Sequence, residues 1–161
     1  MIKIVSLRNS NHSNLLVAMR MSIENVTLIE PDELLTVGNR DTLIFPGVGH
    51  LSSLLTDIGG NQIALKLRER IIHKQIPVLG VCLGMHFMCR SSEEDTNAKT
   101  LELIPHRISK LYEDTRPSVG WMRCIQKHNV DQDLNHPKYL YCTHSYGSIM
   151  QETKHDDKVL S

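Results

Sequence analysis

The stretch Gly80-Val81-Cys82-Leu83-Gly84 sets one thiol between two glycines, where an apolar run gives way to a helical pattern. A residue held in a sharp strand-to-helix turn adopts strained backbone angles, and its side chain is pushed out above the sheet. Glycines two before and two after it remove Cβ atoms that would strike the neighbouring strand and helix. This is the logic of a nucleophile elbow, with cysteine in the place of serine. A helix N-terminus suits a negatively charged nucleophile, and the Leu83 N–H would be free to hold a developing oxyanion. Cysteine is also a common small core residue, so a packed and inert Cys82 is the alternative. Cys82, His86 and Cys89 at i, i+4 and i+7 could also be read as metal ligands. Three ligands crowded onto one helix make an unusual donor set, and no metal is expected.

Phe45-Pro46-Gly47-Val48-Gly49-His50 is the second informative stretch. A strand ending in Pro-Gly-x-Gly leaves backbone N–H groups free to turn toward a ligand. Beside the elbow it is a candidate for the other half of an oxyanion hole; alone it is a glycine-rich turn.

The elements that must position these residues alternate. Ile2–Leu7, "NVTLIE", "DTLIFPG" and "IPVLGVC" are short, apolar and β-branched, as buried parallel strands are. Between them lie helical patterns in "NHSNLLVAMRMS" and "QIALKLRERIIHKQ", the latter with Ile63, Leu67 and Ile71 on one stripe and Asn61 as its N-cap. Strands alternating with helices argue for an α/β fold with a parallel sheet. The second half differs: "LELIPHRISKLY", "SVGWMRCIQ" and "KYLYCTHSY" read as strands that extend a mixed sheet. Residues 1–147 are expected to form one domain, and 148–161 a polar tail.

Lys plus Arg and Asp plus Glu both number 18, so no basic field invites nucleic acid. Aromatics at 4% also argue against stacking platforms for single strands. No apolar run reaches the length of a membrane span, and the first residues do not read as a signal peptide. The four scattered cysteines suit reduced thiols and a cytoplasmic protein.

"PGVGH", "PVLGVCLGMHFMCRSSEE", "PSVGW" and "HSYG", in this order and at these spacings, resemble class I (triad-type) glutamine amidotransferases. The likeness is greatest to the branch that supplies the glutaminase subunit of imidazole glycerol phosphate synthase, and it runs from Met1 to about Gly147. It implies the three-layer α/β fold of that family, with helices on both faces of a mixed central sheet. It implies that Cys82 attacks the side-chain amide of glutamine and that the resulting thioester is hydrolysed, without a cofactor. Gly47, Val48 and Gly49 would then form the oxyanion strand, with Leu83 assisting. Gly84, His86, Glu94, Ser145 and Tyr146 would match substrate-holding positions. Pro117, Gly120 and Trp121 would match the surface that meets a (β/α)8-barrel cyclase subunit, in a heterodimer serving histidine biosynthesis.

The chain departs from the pattern at several places. The family's His-Pro-Glu motif does not occur in these 161 residues; "KHDDK" holds His155 but no Pro-Glu. The late strands and helix that accompany that motif are expected to be missing. His86 stands where the family usually has a glutamine, and Met122 where an asparagine commonly follows the Gly-Trp. "LRNSNHSN" replaces the usual glycine-rich turn after the first strand, with Asn14 its one match. Two further readings follow: a relative that binds its synthase partner without turnover or serves another amination pathway, and an unrelated cysteine hydrolase on a similar fold.

Overall fold

The structure is a computed structural model that describes residues 1–111, 117–124 and 138–148. The expected tail beyond Ser148, with His155, lies outside the described residues. The described residues form two compact units, Met1–Ser109 with Ser148, and Lys110–Gly147.

The first unit is built on four parallel strands, β1 (Ile2–Val5), β2 (Val26–Ile29), β3 (Thr42–Phe45) and β4 (Val78–Gly80), in the order β2-β1-β3-β4. Side chains alternate across a strand, so the sheet presents two apolar faces. Ile4, Val26 and Ile44 face α1 (His12–Arg20), which packs Leu15, Leu16 and Met19 against them. Val5, Leu43 and Phe45 face the opposite way, onto α2 (Leu51–Ile58), α3 (Asn61–Lys74), α4 (Leu83–Met88) and a 3-10 helix at Pro31–Thr36. Helices thus cover both faces, as expected.

Several elements differ in detail from the sequence reading. Helix α2 is bracketed by glycines and too short to stand out in the sequence, yet Leu51, Leu54, Leu55 and Ile58 give it a buried stripe at i, i+3, i+4 and i+7. Gly59 closes it in the left-handed region, at φ 95°. Asn61 is the first residue of α3 rather than its cap; its amide bridges to Lys99 N–H and Asn97 carbonyl, tying the helix to a distant loop. The buried stripe of α3 is Ala64, Leu67 and Ile71, with Ile63 only half-buried. Strand β4 is not buried on both faces, as its apolar run suggests. Leu79 and Val81 are 52% and 41% exposed, and β4 is the last strand of this sheet among the described residues.

After α4 the chain enters β5 (Cys89–Ser92), which pairs in parallel with β6 (Ile104–Lys110) across a register shift. In the second unit β7 (Ser118–Cys124) and β8 (Lys138–His144) form an antiparallel ribbon, followed by the short β9 (Tyr146–Gly147). The antiparallel pairing expected of the second half is present as this separate ribbon. Among the described residues no helix is long and apolar enough to cross a membrane.

Candidate active site

Cys82 joins β4 to α4 with φ 52° and ψ −109°, a region that residues with a side chain rarely occupy. Three backbone segments meet beneath it. A Cβ on Gly84 would run into the Phe45 carbonyl oxygen of β3, and a Cβ on Gly80 would lie 2.5 Å from the Gly84 carbonyl oxygen and the Met85 nitrogen. The glycines therefore let α4 start directly against β3 and β4. Val81 N–H donates to the Phe45 carbonyl at 2.9 Å, and Phe87 meets Phe45 edge-to-face at 5.3 Å. With its base locked in this way, the turn lifts Cys82 into solvent, where it is an exposed free thiol. The inert-core reading of Cys82 is excluded.

Cys89 does not share that position. It caps α4 in an extended conformation, is buried, and burial pushes its thiol up to about 11. Since α4 ends at Met88, Cys82, His86 and Cys89 do not share a helix face. Among the described residues no three His, Cys, Asp or Glu side chains could hold a metal ion. The contrast between the two thiols gives a direct prediction. At pH 8 only about a thousandth of Cys89 would be thiolate, so iodoacetamide should label Cys82 at least about a hundredfold faster. Peptide mass spectrometry over time reads this; equal labelling in the folded protein would sink the assignment.

The Gly47–Gly49 segment lies against the elbow: a Cβ on Gly47 would lie 2.9 Å from the Leu83 Cβ. Gly49 has φ 96°, which glycine tolerates and a β-branched residue would not. The Val48 N–H is not free, as its Pro-Gly-x-Gly setting suggests; it donates to the Asn9 carbonyl at 3.3 Å. The Leu83 N–H, at the first position of α4, has no intrahelical acceptor. Gly47, Val48, Leu83 and Asn9 line a crevice of about 10 Å³, room for about one water molecule.

Glu94 is the buried charge of the site, with its side chain 6% exposed. One carboxylate oxygen, Oε2, accepts the Leu51 N–H at 3.3 Å, capping α2, whose own N-cap residue His50 makes no side-chain bond. Two imidazoles flank the carboxylate, His86 with Nδ1 3.7 Å from Oε2 and His50 with Nδ1 3.8 Å from Oε1. His86 is itself 7% exposed, and its Nδ1 is enclosed without a hydrogen-bond partner. The backbone N–H of His86 donates to the Cys82 carbonyl, so this cluster stands one helical turn from the thiol. Sequence reasoning named His86 and Glu94 singly. It missed their convergence on the start of α2, because α2 itself went unassigned.

The first unit thus brings together Cys82, Leu83, Gly84, Gly47, Val48, Gly49, His86 and Glu94. The remaining expected residues belong to the second unit. Ser145 accepts the Leu111 N–H on its carbonyl at 3.0 Å, and both Ser145 and Tyr146 are half-buried. Trp121 is not a core residue: it is 71% exposed and meets the exposed Tyr141 edge-to-face at 5.6 Å. Pro117 is exposed at the start of the ribbon, and Gly120 has φ 152° within it. Strand register places Val119, Trp121 and Arg123 on one face of the ribbon with Tyr139, Tyr141 and Thr143, and all six are exposed.

Comparison with known proteins agrees with this geometry. Residues 5–160 match the family model for class-I glutamine amidotransferases. The chain is 33% identical over 150 residues to the imidazole glycerol phosphate synthase subunit HisH of Exiguobacterium sibiricum, covering 92% of this chain and 70% of that protein. It is 34% identical over 128 residues to subunit HisH 2 of Vibrio vulnificus, covering 76% of this chain and 60% of that protein. The HisH subunit of Thermotoga maritima is 29% identical over 153 residues, covering 94% of this chain and 73% of that protein. With the family model matching residues 5–160, around a thiol raised on a strained turn between two glycines, the chain belongs to the class-I glutamine amidotransferases.

Proposed function

We propose that this chain is the glutaminase subunit of an imidazole glycerol phosphate synthase-type complex. The observation that carries the reading is Cys82 itself, exposed at φ 52° above a base that only glycine at positions 80 and 84 permits. In this reading the Cys82 sulfur attacks the side-chain amide carbon of glutamine. The proton lost by the thiol goes to the amide nitrogen, the C–N bond breaks, ammonia leaves, and a glutamyl thioester remains until water hydrolyses it to glutamate and the free thiol. The N–H groups of the Gly47–Gly49 segment and of Leu83 hold the oxyanion. Glu94, a buried carboxylate, meets the substrate's ammonium. The ammonia passes to a cyclase barrel that docks on the ribbon face around Trp121, in the cytoplasm. No cofactor takes part in these steps.

The test is ammonia release from glutamine by the purified chain, alone and with a cyclase subunit, against Cys82→Ala. Cysteine-dependent release, raised by the partner, is the expected result; release that survives in Cys82→Ala would overturn it. The exposed Trp121–Tyr141 pair favours a second reading, a partner-binding protein without turnover, since an aromatic pair open to solvent suits an interface anchor. No ammonia from either protein, with cyclase binding that Trp121→Ala weakens, would select that reading.

A further inference from the structure

The cluster at Glu94 holds more than a substrate contact. A buried carboxylate with one hydrogen bond from Leu51 N–H is flanked by two imidazoles, one of them enclosed. A buried ring nitrogen without a partner is destabilising, because the water it has lost is not replaced. Glu94 Oε2 lies 3.7 Å from it, a few tenths of an ångström beyond hydrogen-bond distance. Protonation of that imidazole turns the unsatisfied contact into a charge-assisted one and sets a positive charge against the carboxylate. Glu94 then has no net charge left to offer an ammonium group.

From this we infer that His86 is a positioning residue acting through Glu94, which makes recognition of the substrate's ammonium depend on pH. With His86 neutral, Glu94 is an open anionic site. With His86 protonated, the site is already occupied from within. The inference rests on the reading of Glu94 as the ammonium contact.

The other charged groups nearby are committed elsewhere. Glu93, beside Glu94, pairs with Arg107 at 3.2 Å, and Asp57 at the far end of α2 pairs with Arg8. Cys89, at the end of α4, stays a thiol. His50 also faces the carboxylate, and it is 59% exposed, so solvent screens its charge. The enclosed His86 is the stronger lever.

The experiment measures binding rather than turnover, using the full chain with Cys82→Ala and calorimetry at about pH 8 and pH 5.5, on either side of the range where imidazoles change charge. Glutamine is compared with glutaramate, which is glutamine without its ammonium. Glutamine should bind about tenfold more weakly at the lower pH, the effect of one added like charge at close range. Glutaramate should change by less than about twofold, and adding His86→Gln should flatten the glutamine response to the same degree. An unchanged pH response in His86→Gln overturns the role of His86. An equal response with glutaramate overturns the ammonium step. Glutamine that binds neither protein at either pH overturns the glutaminase reading, and this inference with it.

Discussion

Replacing Gly84 with alanine should cost at least about 3 kcal/mol of stability, the upper end of what overpacking does, and leave little folded protein. The added carbon would meet the Phe45 carbonyl, a backbone group that cannot step aside. That carbonyl already accepts the Val81 N–H at 2.9 Å, and Phe45 is fully buried between the sheet and α4. The helix cannot retreat either, because Gly80 is packed against the Gly84 backbone from below. Relief would require α4 to separate from β3, exposing Leu83 and Phe87. Urea denaturation reads the loss, with Gly38→Ala as the control, since nothing lies within 4 Å of a Cβ there. A Gly84→Ala protein that melts within a degree or two of the parent would show that the close approach is not needed.

The second large effect concerns Cys82 and has opposite signs for stability and activity. A residue with a side chain at φ 52° and ψ −109° carries strain of about 1–3 kcal/mol. Glycine adopts those angles freely but gives up about 0.5–1 kcal/mol through the added freedom of the unfolded chain. Cys82→Gly should therefore be more stable than the parent by about 1 kcal/mol, or about 2–4 °C in Tm. Cys82→Ala keeps the strain and should gain nothing. Both variants should lose glutamine hydrolysis by at least about a thousandfold, as removal of a nucleophile does. Thermal melts of the pair isolate the backbone contribution, because both lack the thiol. If Cys82→Gly melts no higher than Cys82→Ala, the turn is not strained and the thiol's exposure needs another cause.

The elbow was legible because it is local. Two glycines, a cysteine and the change of pattern from strand to helix lie within five residues, and sterics there leave few alternatives. The parallel sheet was legible for a similar reason: the core residues of β1, β2 and β3 stand in short apolar runs. What could not be read depends on partners far apart in the chain. Nothing in "PGVG" says that the Val48 amide will find the Asn9 carbonyl, and nothing in "SSEE" says that Glu94 will cap α2. Helix α2 was passed over because its stripe occupies only eight residues and glycines bracket it. Asn61 looked like a cap by type, but its side chain is spent on Lys99 and Asn97. Trp121 could not be placed from its type alone, since tryptophan is common both in cores and at interfaces. Its exposure follows from the pairing of β7 with β8, which puts it opposite Tyr141.

The bond from Val48 to Asn9 sets a ceiling on how often the site is ready. For the Val48 amide to hold an oxyanion it must first leave that carbonyl, and a backbone hydrogen bond is worth about 0.5–1.5 kcal/mol net. At that cost the freed conformer makes up about a tenth to a third of molecules, before any rotation at Gly49 is counted. Turnover by the isolated chain is discounted by the same fraction, and whatever holds the segment open returns it.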